Sequence, residues 1–182
     1  YIETDITNMM NAPTEAVELE YPLRVHSMRL APDSGGAGLN RGGLGMQKVF
    51  EVLEGPLEVT HRGDRHFSRP WGVNGGRPAA PWSSVLRRTD GSTHKVPARE
   101  RFRMREGDVL DCFTAGGGGY GDPLLRPAEL VRQDVIDGTV TREAAAADYG
   151  VVVTDALALD AAATDARRAA LGKERGAVTW TF

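Results

Sequence analysis

A chain of 182 residues that is 41% hydrophobic and 26% charged carries enough apolar side chains for a core, which excludes wholesale disorder. Its net charge of −3 offers no basic balance for nucleic acid or an anionic membrane surface, and no apolar run reaches the ~20 residues of a membrane helix. One cysteine, Cys112, excludes an internal disulfide framework and any multi-cysteine zinc site, and makes a reducing, cytoplasmic setting the simplest expectation.

The opening stretch, residues 1–11, is polar and lacks the basic start and apolar core of a signal peptide. Residues 17–31 alternate, with Val17, Leu19, Tyr21, Leu23 and Val25 on one parity. This predicts a half-buried strand, with Pro22 marking an edge or a break. A glycine-rich loop follows over 32–46. Residues 46–61 predict two strands broken at Gly55-Pro56, and 62–82 are irregular. Residues 83–96 predict a hairpin turning at Asp90-Gly91; further strands follow over 99–105 and, after Glu106-Gly107, up to Phe113.

Beyond Pro123 the pattern changes. Pro127 opens a helix that ends before Gly138. Thr141 caps a second helix, stopping near Gly150, and Asp160 caps a third, ending near Leu171 with Gly172 after it. Strands first and helices after predict an α+β fold. It consists of a strand-rich, mainly antiparallel body over residues 1–123 and a small helical C-terminal appendage over 124–182, together one compact fragment.

The 22 glycines are clustered, chiefly at 35–45, 72–76 and 116–121. The first cluster, Asp33-Ser-Gly-Gly-Ala-Gly-Leu-Asn-Arg-Gly-Gly-Leu-Gly45, contains the bidentate donor Arg41 and the hydroxyl of Ser34. It lacks the Gly-Lys-Ser/Thr ending of a P-loop, and a strand rather than a helix follows it, so neither nucleotide fingerprint is met. The second, Thr114-Ala-Gly-Gly-Gly-Gly-Tyr-Gly-Asp122, has four consecutive glycines, each costing on the order of 1 kcal/mol to order relative to alanine. Both loops leave two readings open: backbone approach to an anionic ligand, or tight packing. The candidate contact residues are Ser34, Gly35, Gly36, Arg41, Gly116, Gly117, Gly118 and Gly119. The four histidines, His26, His61, His66 and His94, show no paired ligand spacing, so no metal bound by this chain is expected. Cys112 reads as a small hydrophobe within a strand.

Several segments in order resemble the C-terminal part of the hydantoinase B family, which includes the matching half of ATP-dependent 5-oxoprolinase and subunits of acetone and acetophenone carboxylases. The segments are Asn11-Ala-Pro-Thr-Glu15, Glu20-Tyr-Pro-Leu-Arg24, Asp33-Ser-Gly-Gly-Ala-Gly38, Arg41-Gly-Gly-Leu-Gly45, Pro70-Trp-Gly72 with Gly75-Gly76, and Gly107-Asp108. They continue with Thr114-Ala-Gly-Gly-Gly-Gly-Tyr-Gly-Asp-Pro123, Asp134-Val135 with Gly138, and Tyr149-Gly-Val151. Where the family commonly has proline, this chain has Ala115.

The resemblance implies a share in an ATP-dependent hydrolase of cyclic amides, of N-methylhydantoinase or 5-oxoprolinase type. ATP with Mg would sit on a hydantoinase A-type partner subunit that phosphorylates the small-molecule substrate. A divalent metal would sit in the N-terminal region of the B-type subunit. Such subunits are much longer than this chain, and it starts on a tyrosine. The resemblance therefore implies a C-terminal piece or a separately encoded half, partnered by the remainder of the B-type subunit and inactive alone. A ketone carboxylase subunit and a non-catalytic assembly module remain the alternative readings; no nucleic-acid or membrane partner is expected.

Overall fold

The computed structural model describes residues 12–175. The polar opening stretch, with Asn11 of the first family-like segment, lies outside them. The structure is α+β, and the chain forms two compact units that interleave along the sequence. Among the described residues, the first takes 12–29, 46–67 and 82–114; the second takes 30–45, 68–81 and 115–175. The chain thus crosses between units several times instead of once near Pro123, and the glycine loops group with the helices.

The first unit opens with helix α1 (Thr14–Glu20), followed by strand β1 (Leu23–Leu30). The single strand expected over 17–31 is therefore a helix up to Glu20. Pro13 starts the helix, glutamates dominate it, and its alternating Val17 and Leu19 mark no buried face: no residue of α1 is buried. The strand begins only after Pro22. The remaining strands are β2 (Met46–Val52), β3 (Leu57–Arg62), β4 (Ser83–Arg87), β5 (Thr93–Lys95), β6 (Arg99–Met104) and β7 (Val109–Phe113). They form a five-stranded sheet in the order β1-β2-β7-β4-β5 and a two-stranded sheet β3-β6. The β2–β7, β7–β4, β4–β5 and β3–β6 pairings are antiparallel.

Val52, Leu86 and Leu110 from the larger sheet meet Phe102 and Met104 from the smaller one, with Val96, in one apolar core. Period-two alternation supplies the inward residues of β6: Phe102 and Met104 are buried while Arg99, Arg101 and Arg103 are exposed. Across the larger sheet a polar relay runs from Arg29 Nε to Gln47 Oε1 (2.9 Å), from Gln47 Nε2 to Asp111 Oδ1 (3.0 Å), and from Arg87 Nη2 to Asp111 Oδ2 (2.8 Å). The expected two-residue hairpin turn between β4 and β5 is instead a five-residue connection, Arg88 to Ser92. In it Asp90 Oδ1 accepts from Ser92 N and Gly91 takes φ +84°.

Asp108 anchors the β6–β7 turn. It is fully buried and accepts from Arg88 Nη1 (2.8 Å), Arg105 N (2.8 Å) and Thr89 N (3.3 Å). Asp108→Ala leaves two backbone donors and a partly buried guanidinium without this acceptor, so it is expected to cost about 3 kcal/mol in urea unfolding. A loss below about 1 kcal/mol would show that water replaces the carboxylate.

The second unit carries α2 (Ala128–Ile136), α3 (Arg142–Asp148) and α4 (Ala161–Arg175), after a 3-10 turn at Pro123–Leu125 whose first N–H groups Asp122 caps. Pro127 precedes α2 and Gly138 follows it at φ +68°; Thr141 Oγ1 accepts from Ala144 N, and Asp160 Oδ1 from Ala163 N. These caps fall where the sequence places them. The third helix does not stop at Leu171: it runs through Gly172 to Arg175, because flanking Leu, Lys, Glu and Arg are good helix formers and offset one glycine. Val131, Val140, Ala145, Tyr149, Val151 and Val153 form the core of this unit with Ala37. Burial pushes the Tyr149 hydroxyl up to about 12. Among the described residues no helix is long and apolar enough to cross a membrane.

Candidate functional site: a glycine lattice

The three glycine clusters, far apart in sequence, meet inside the second unit. Gly36 N donates to Gly117 O (2.9 Å), Gly117 N to Gly43 O (2.8 Å), and Gly42 N to Gly36 O (2.9 Å). Arg77 N donates to Ala37 O (2.7 Å), Gly119 N to Arg77 O (3.0 Å), and Val73 N to Gly119 O (2.9 Å). Segments 34–43, 71–77 and 116–121 therefore stack backbone on backbone.

The glycines are required here by space. A Cβ on Gly42 would strike the carbonyl of Gly117, one on Gly116 that of Ser34, one on Gly118 that of Trp71, and one on Gly119 that of Ala37. On Gly36 it would lie 2.5 Å from Gly119 N, and on Gly38 2.7 Å from Tyr120 N and O. Gly35 likewise faces the carbonyl of Gly42. Such distances against backbone cannot be relieved by a rotamer change. Two positions differ. A Cβ on Gly43 meets nothing within 4 Å, and one on Gly117 finds Gly43 N at 3.2 Å; both glycines are exposed.

All eight candidate residues lie in this lattice, and the polar ones are engaged within it. Ser34 is buried; its hydroxyl donates to Ala31 O (2.6 Å) and accepts from Gly45 N (2.8 Å), which closes the loop. Arg41 donates through Nη1 to Gly42 O (3.2 Å) and through Nη2 to Asp134 Oδ1 (3.4 Å). Arg126 Nη2 donates to the other oxygen of Asp134 at 2.9 Å, and its Nη1 to Leu39 O at 3.0 Å. Two guanidinium groups thus share one buried carboxylate, tying the glycine loop to α2. The Nε atoms of Arg41 and Arg126 are buried and have no hydrogen-bond partner among the described residues. The cavity beside Arg41 and Tyr149 holds about 10 Å³, room for about one water. It does not admit a lactam-sized molecule.

Sequence patterning marks Asp134 only through its Asp-Val pair. A sharper signal lies in its helical position. It lies three residues after the buried Val131, on the same helix face, and a carboxylate at a core position needs a cation.

His61 and His66 are engaged in the packing of the first unit. In the first unit, the hydroxyl of Ser84, fully buried, bonds His61 Nε2 (2.9 Å) and accepts from Trp82 Nε1 (3.1 Å), while His61 Nδ1 faces Pro97 O (3.0 Å). His66 stacks on Trp82, and burial, helped by His61, lowers its pKa. Burial raises the Cys112 thiol, the opposite of an activated nucleophile. Among the described residues no three His, Cys, Asp or Glu side chains converge as a metal site, so no step is assigned to a metal held by them.

Residues 1–123 match the family model described as hydantoinase B/oxoprolinase. The chain belongs to that family. It is 34% identical over 167 residues to the B-type subunit of a putative D-/L-hydantoinase from Pseudomonas sp. (strain NS671), covering 87% of this chain and 27% of that protein. The crystal structure of the ATP-dependent caprolactamase from Pseudomonas jessenii aligns with TM-score 0.76 at 32% identity, covering 88% of this chain and 28% of that one. A nucleotide-free acetone carboxylase structure aligns with TM-score 0.75 at 27% identity, covering 92% and 27%. The chain spans between about a tenth and about three tenths of the length of the curated relatives it matches.

Proposed function

We propose that this chain is the C-terminal part of the B-type subunit of an ATP-dependent cyclic-amide hydrolase of hydantoinase, oxoprolinase or caprolactamase type. The observation that carries the reading is the higher identity to the hydantoinase subunit and the caprolactamase, 34% and 32%, than to acetone carboxylase, 27%, at similar coverage of this chain. The chemistry is consistent with a two-subunit division. An unstrained lactam is a poor electrophile; phosphorylation of its oxygen on an ATP-binding partner would activate the carbonyl carbon so that water adds to it, the ring nitrogen takes a proton and leaves, and hydrolysis of the resulting acyl phosphate releases phosphate.

Within that enzyme the glycine lattice acts as scaffold. Ser34 and Arg41 are positioning residues, since their donors are held inside the lattice. Gly43 and Gly117 are the exposed edge, where the missing side chains permit close approach of a phosphorylated intermediate or of the rest of the subunit, although Gly117 N, Gly117 O and Gly43 O stay bonded within the lattice. Gly117→Ala, made in the complete complex, is expected to leave the melting temperature nearly unchanged. It should lower kcat on the order of tenfold, because a small displacement at a reacting site is costly. Unchanged kinetics in the folded variant would remove Gly117 from the site. If the complete complex carboxylates a ketone with ATP and bicarbonate and leaves cyclic amides untouched, the hydrolase assignment is wrong.

A further inference from the structure

The outer face of the two-stranded sheet β3-β6 carries an arginine ladder unconnected with the glycine lattice. Register and alternation place Glu58, Thr60 and Arg62 of β3 opposite Arg103, Arg101 and Arg99 of β6, and all six are exposed. Four cations and one anion give this face a charge of +3 in a chain whose net charge is −3. Glu58 pairs with Arg101. The side chains of Arg62, Arg99 and Arg103 have no partner among the described residues. Arg62 and Arg99 are directly opposed, and like charges at that position destabilise a sheet. Together with Arg101 they line one open depression of about 410 Å³. Retaining this repulsion with no counter-ion for Arg62 or Arg99 among the described residues gives the face the charge pattern of an interface.

We infer that the β3-β6 face docks a carboxylate-rich segment of a partner protein, with Arg62, Arg99 and Arg101 as its anchors. Alternate residues along β6 stand about 7 Å apart, so Arg99 to Arg103 spans roughly 14 Å. That spacing suits an extended acidic strand better than one compact anion. Glu58 and Glu100 beside the ladder, and the acidic charge of the whole chain, weigh against a nucleic-acid polyanion. This docking role is independent of the lactam reading.

The test is fluorescence anisotropy on the 182-residue chain at low salt. The probes are a labelled peptide alternating glutamate and serine, its glutamine counterpart, inorganic tripolyphosphate and a short single-stranded DNA. The acidic peptide is expected to bind, to weaken with salt, and to lose about tenfold in affinity in Arg62→Glu/Arg99→Glu. Arg99→Glu alone should bind more weakly yet melt at a higher temperature, because it puts a carboxylate opposite Arg62; a merely structural role would move both the same way. Arg99→Gln gives the same directions at smaller size and serves if the charge reversal fails to fold. Equal peptide affinity in wild type and variants, or tighter binding of tripolyphosphate or DNA than of the peptide, would overturn the inference.

Discussion

Replacing Asp134 by alanine is expected to destabilise the second unit by about 3–5 kcal/mol, a large share of an ordinary domain's stability. The carboxylate holds Arg41 on one oxygen and Arg126 on the other, and the two guanidinium side chains are only 19% and 14% exposed. Without it, two cations stay buried without this counter-charge, and both Nε atoms already lack acceptors among the described residues. Uncompensated burial of charge is the dominant cost, above the two lost hydrogen bonds. Arg41→Ala should be milder, about 1–2 kcal/mol, since Asp134 keeps Arg126. Thermal melts and urea titrations of both variants check the order. A larger loss for Arg41→Ala than for Asp134→Ala would contradict the sharing of one carboxylate.

Gly118→Ala is expected to cost about 3 kcal/mol or to prevent the lattice from closing. The new methyl would fall on the carbonyl oxygen and carbon of Trp71, and Gly72 N lies 3.1 Å away; all three are backbone atoms of a neighbouring segment. Gly43→Ala is the matched control. Its methyl enters open space, and the glycine has no positive φ. Reduced freedom of the unfolded chain should leave it neutral or more stable by about 0.5 kcal/mol. Comparable loss in both variants would mean that propensity, and not backbone contact, sets the need for glycine. Circular dichroism melts of the pair decide between them.

These contacts also explain how far the sequence could be read. Runs bounded by turn signals located β2, β3 and β7, and in β6 alternation adds to this because one face lies on a core. Pairing was not legible. β3 lies between β2 and β4 in sequence yet pairs with β6, and alternation is the same whichever strand is the neighbour. The helix caps at Thr141 and Asp160 were readable because capping is local chemistry. Helix α1 was misread because Val17 and Leu19 alternate without burying anything.

The glycine clusters marked segments that the structure brings together, but not what they contact. Whether glycine serves a ligand or a neighbouring backbone depends on what stands opposite. For Gly118 that is Trp71, and for Gly42 it is Gly117, each many residues distant. The same holds for Arg41. A lone arginine in a glycine loop reads as an anion donor until Asp134 is found beside it. The Arg62–Arg99 repulsion likewise exists only once the register is known.

The most direct measurement is product analysis of the complex proposed above, in which this chain is joined by the rest of a B-type subunit and an ATP-binding partner. Cyclic amides such as 5-oxoproline, a hydantoin and caprolactam would be offered beside acetone and labelled bicarbonate. Ring-opened amino acid product should form in step with ATP hydrolysis, with no label fixed on the ketone. Label incorporated into a ketone-derived acid, with every cyclic amide returned intact, would contradict the hydrolase assignment.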